Sequence, residues 1–71
     1  MYLDDTINLD FYIPSDLAEY IDEVEKSYAQ KNDIRFDDAM EMVEVLAKAY
    51  AKDRTISYSD MHKIKEKYGG W

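Results

Sequence analysis

The residues best suited to chemistry are gathered near one end of the chain, in the run Ser57, Ser59, Asp60 and His62. Nucleophilic catalysis needs a hydroxyl beside a base that a third group orients. This run is better explained as the start of a helix. Ser57 with Asp60 three residues later has the form of a capping pair, and serine and aspartate are the residue types that satisfy a helix's free N–H groups. His62, the only histidine, follows Met61 and faces largely outward on that helix, with no partner to orient it.

Metal chemistry is tested next. From Asp53, the residues Thr55, Ser57 and Ser59 fall on alternate positions of a calcium loop, but Tyr58 stands where glycine is needed and Ile64 where a bidentate glutamate is needed. The pairs Glu19/Glu23 and Asp22/Glu25 lie one helical turn apart and read as a solvated acidic face. A di-metal centre would require carboxylates turned into a core, often with histidine beside them. A paired-acid glycosidase would need a substrate cleft that so small a domain has little wall to build. No cofactor, metal set or catalytic residue is expected, and an enzyme ranks last among the function classes.

The elements that would carry these residues follow from the hydrophobic pattern. Ile7, Leu9, Phe11 and Ile13 alternate with Asn8, Asp10 and Tyr12, which predicts a short strand or extended arm over about residues 6–13. Pro14 ends it and suits a helix's first position. Leu17, Tyr20, Ile21, Val24 and Tyr28 then share one helical face, predicting helix one over about 15–30. Asp38 and Glu41 predict a capping box and helix two over about 38–52, with Ala39, Val43, Leu46 and Tyr50 as its central stripe. Met40, Met42, Val45, Ala47 and Ala49 widen that stripe until the helix reads as buried between neighbours. Tyr58, Met61, Ile64 and Tyr68 predict helix three over about 57–68. Ile56 and Met61 are placed to form a staple across its start, and Gly69 to stop it.

With 71 residues and no cysteine, the chain has room for one domain, 1–71, without disulfides or thiolate metal ligands. A reducing, cytoplasmic setting is expected. Asp4, Asp5 and Asp10 are wrong for a signal peptide, and apolar runs of three residues are far short of a membrane span. The net charge of −7 is lopsided: residues 1–46 set thirteen carboxylates against Lys26, Lys31 and Arg35, whereas residues 47–71 set six bases against Asp53, Asp60 and Glu66. The negative excess opposes nucleic acid and anionic membranes, and the basic end suits the chain's own front half.

Seven tyrosines and four methionines are an unusual endowment for 71 residues. Core and rim packing accounts for most of them, because tyrosine has an apolar body and a polar tip. Tyr20, Tyr28, Met40, Met42 and Tyr58 form the candidate partner-binding face, since such side chains also furnish adaptable interfaces.

The order of strand, proline, amphipathic helix, break and second helix, carried by Ile7 to Pro14 with Leu17, Ile21 and Val24, resembles the ribbon-helix-helix transcription regulators over residues 6 to about 52. The resemblance implies a dimer joined through paired strands, with Asn8, Asp10 and Tyr12 entering a major groove. Asp10 is wrong for that contact, and Asp33, Asp37 and Asp38 lie where the family holds phosphate. The phrase Leu9 to Pro14 with Lys67-Tyr68-Gly69 also resembles a group of short helical proteins of Gram-positive gut bacteria and mobile elements, which implies no particular activity.

The expectation is therefore an all-α, compact three-helix domain with a short N-terminal extended arm, acting as a non-enzymatic protein-interaction module. Its partner is another protein or a second copy joined through the arm, with no membrane. A ribbon-helix-helix DNA binder and an acidic mimic that occupies a nucleic-acid-binding protein are the alternatives.

Overall fold

Three helices account for the regular structure of the chain, described for residues 1–69 and 71 by a computed structural model: α1 (Ser15–Ala29), α2 (Asp33–Lys52) and α3 (Tyr58–Lys67). The fold is the all-α three-helix domain that the hydrophobic pattern predicts. Its helix boundaries are set by a few capping residues.

Pro14 occupies the cap position immediately before α1, where its carbonyl accepts from Ala18 N–H at 2.9 Å, and Asp16 accepts from Leu17 N–H. The helix ends by wrapping back on itself. Lys31 takes a left-handed conformation at φ 57°, so that Lys31 N–H donates to the Tyr28 carbonyl and Asn32 N–H to that of Ser27. This is a Schellman closure with lysine where glycine is usual. Asn32 at once caps α2, its side chain accepting from Arg35 N–H. The second helix therefore starts at Asp33 and not at the capping box expected from Asp38, which lies more than one turn inside it. A left-handed lysine carries no glycine signal, which is why the earlier start was not read.

The same device closes α2. Arg54 stands at φ 68°, with Arg54 N–H donating to the Ala51 carbonyl and Thr55 N–H to that of Tyr50. Ser57 then caps α3 by accepting from Asp60 N–H at 3.0 Å, and Gly69, at φ 100°, follows its last turn.

α2 packs against both α1 and α3 and so lies between them. Its buried face is Phe36, Ala39, Val43, Ala47 and Ala51, rich in alanine, which lets neighbouring helix axes approach closely. Leu17, Ile21 and Val24 of α1, Ile56 ahead of α3, Ile64 and Tyr68 complete the core. Leu46 and Tyr50, expected in the central stripe, lie only partly buried at its edge. The expectation of an almost wholly buried helix is corrected, since Ile34, Met42, Val45 and Ala49 face outward.

The N-terminal arm is extended but forms no strand among the described residues, because no second strand supplies a ladder. Its apolar edge faces as the alternation predicts: Leu9, Phe11 and Ile13 pack against the core, joined by Leu3. The basic end of the chain fastens it. Lys67, nearly buried, donates from Nζ to the carbonyls of Ile7 at 2.6 Å and Asp4 at 3.2 Å, while Asp4 N–H donates to the Lys67 carbonyl at 2.8 Å. Lys63 reaches Asp10 at 3.5 Å.

Candidate functional site

Charged and polar groups that could have served catalysis are engaged locally. Ser57 is a helix cap, and His62 is exposed on α3. Asp53 accepts both the N–H and the hydroxyl of Thr55, at 2.9 and 2.6 Å, and these bonds hold its carboxyl below the ordinary carboxylate value. Asp4 does the same for Thr6, with the same consequence. On α1, Asp22 pairs with Lys26 at 2.9 Å, Glu23 with Arg35, and Glu25 accepts from the Tyr68 hydroxyl. Burial, then the bond to Glu25, raises the Tyr68 phenol well above its usual value. Among the described residues no group of three or more His, Asp or Glu side chains is placed to hold a metal ion.

The surface features are apolar and acidic. Tyr20 of α1 and Met42 of α2 meet in a groove of about 230 Å³, lined also by Glu23, Arg35, Asp38 and Ala39. Tyr28 lies further along the same helix pair, its ring 6.2 Å from that of Phe36 and tilted by 50°. Met40 is on the other flank of α2. It lines a cavity of about 310 Å³ with Asp37, Glu41, Glu44, Tyr68 and Trp71. Tyr58, 59% exposed, opens α3 and lines none of these hollows. Of the five residues proposed from sequence as one face, the structure thus brings together Tyr20 and Met42, sets Tyr28 nearby, and places Met40 and Tyr58 elsewhere.

Two residues that sequence reasoning missed extend the Tyr20–Met42 region. Ile34 is 76% exposed and Val45 55% exposed, beside Met42 at 36%. At 100° per residue, Ile34, Asp38, Met42, Val45 and Ala49 fall in one stripe, opposite the buried line of Phe36, Val43 and Ala47. The signal was present as an apolar surplus on helix two. It was read as burial because one core was assumed to absorb it. On and beside this stripe, the N-terminal half of α2 carries Asp38 and Glu41, with Arg35 held by Glu23, and its C-terminal half Lys48 and Lys52.

Comparison of the chain with protein-family models, curated proteins and solved structures finds no match.

Proposed function

We propose that this chain is a small, acidic, non-enzymatic protein-interaction module, working in a reducing, cytoplasmic setting, with the outer face of α2 as its contact surface. The observation that carries the reading is the row Ile34, Met42 and Val45, large apolar side chains left in water on the helix that also builds the core. Scattered single exposures need no explanation, but several on one helical stripe mark a face that gains free energy when covered. The groove holding Tyr20 adjoins the stripe through Met42 and Asp38, adding an aromatic anchor of the type enriched in protein interfaces. Among the described residues no helix is long and apolar enough to cross a membrane, and the mixed charges beside the stripe suit a protein surface better than lipid.

The test is a photo-activated cross-linking residue placed at Val45 and, as control, at the exposed His62 on α3. The reading expects a discrete adduct from Val45 in the native host and none from His62. Equal labelling from both positions, or none from Val45, contradicts it.

A further inference from the structure

The charges along the outer face of α2 are ordered, and their order selects a partner. Asp38 and Glu41 sit toward the N-terminal end, Lys48 and Lys52 toward the C-terminal end, and Val45 lies between the two pairs. Asp38, Glu41 and Lys52 make no ion pair among the described residues, whereas Lys48 holds Glu44 at 2.7 Å. A uniformly basic partner would be repelled by the lysine half and a uniformly acidic one by the carboxylate half. A surface with the same order of charge, laid antiparallel, matches both. The chain itself is such a surface.

We infer that the outer face of α2 is the seam of a two-fold homodimer in which two copies of α2 pack antiparallel about Val45. The inference rests on the interaction-module reading and supplies its partner. In a two-fold contact each patch meets itself, so every pairing occurs twice. With Val45 on the axis, Asp38 faces Lys52 of the second copy and Glu41 faces Lys48. Met42 faces Ala49, and Val45 meets its own counterpart. The face carries Asp38, Glu41, Lys48 and Lys52, with Arg35 at its edge paired to Glu23, so it is locally neutral even though each whole chain carries −7. The arm is not needed for this contact. Its apolar edge is spent on the core, and Lys67 holds two of its carbonyls.

The size of the face bounds the contact. A standard interface takes about 800 Å² per partner, roughly one sixth of the 4600 Å² of this chain. A helix of 20 residues is about 30 Å long, so even with Tyr20 flanking it the contact lies toward the small end. A contact of this size is of the weak, transient class, populated at high protein concentration.

Sedimentation equilibrium of the full chain across a concentration series tests this. The wild type should move from monomer to dimer, and Val45→Glu should remain monomeric with an unchanged circular dichroism spectrum. Asp38→Lys and Lys52→Glu should each weaken association by roughly tenfold, because each turns two attractive pairs into two repulsive ones. An equimolar mixture of these two variants should recover association, because an antiparallel heterodimer restores both pairs. A parallel seam would set Asp38 against Asp38 and Lys52 against Lys52 in the wild type, so neither variant alone would weaken association and the mixture would exceed the wild type. Monomer up to about 1 mM, a dimer indifferent to Val45→Glu, or failure of the mixture to recover overturns the inference. A cross-link from Val45 to a different protein, with the chain itself monomeric, overturns the homodimer while leaving the module reading intact.

Discussion

An ammonium group withdrawn from water must find acceptors, and Lys67 finds them in the carbonyls of Asp4 and Ile7. Lys67→Met keeps the apolar stem and removes those bonds. It should cost about 1.5–3 kcal/mol, the range for hydrogen bonds to a charged group, read by urea unfolding, and should expose the arm to proteolysis. Tyrosine ionisation is a second residue-level test. The bond to Asp16 raises Tyr50 above its ordinary 10.0, and burial with Glu25 raises Tyr68 further. Both groups hold their proton more tightly folded than unfolded. Their stabilisation is therefore complete below about pH 10 and is lost as pH rises through the folded-state values. In an alkaline titration followed by tyrosinate absorbance, Tyr50→Phe and Tyr68→Phe should each remove amplitude from the region above about pH 10. Loss of amplitude at or below about pH 10 in either variant contradicts this account.

At the scale of elements, the helix ends decide how the chain folds. Left-handed backbone costs an L-residue about 1–2 kcal/mol relative to right-handed, and both closures place a long basic side chain there, Lys31 and Arg54. Lys31→Gly should raise stability by about 0.5–1 kcal/mol, part of the relief being offset by glycine's greater unfolded entropy. Thermal melting checks it, and a loss would mean that the lysine stem contributes packing. The start of α3 was legible because Ser57 caps it in the expected way, and Gly69 marked its end. The start of α2 was not, because nothing in the identity of Lys31 announces a left-handed turn. The arm was legible in its inward edge of Leu9, Phe11 and Ile13, whereas strand formation depends on a pairing partner that alternation does not supply. Truncating a fully buried leucine to alanine costs about 2–5 kcal/mol, and the central stripe places Leu46 among the candidates. Leu17 is fully buried and Leu46 only partly so. Leu17→Ala should therefore fall in that range and Leu46→Ala below it. The reverse order would show that the core lies elsewhere.

For the whole molecule, the distribution of charge separates the functional classes. The chain carries −7, and two of the lysines of its basic cluster, Lys63 and Lys67, are engaged with its own arm. Titration with duplex DNA at about 50 mM salt, where counterion release favours binding most, should show no association. Tight, sequence-dependent binding would instead support the ribbon-helix-helix reading. The candidate surface was legible in part: Tyr20 and Met42 were chosen for their types, but Ile34 and Val45 emerge only once the outward side of α2 is known. The most direct test of that surface is dilution of isotopically labelled protein from about 1 mM to about 10 µM, followed by amide chemical shifts. The account predicts that changes concentrate at Ile34, Asp38, Met42, Val45 and Ala49 while Ile7, Leu9 and Phe11 stay fixed. Spectra that do not change with concentration, or changes centred on the arm, would contradict it.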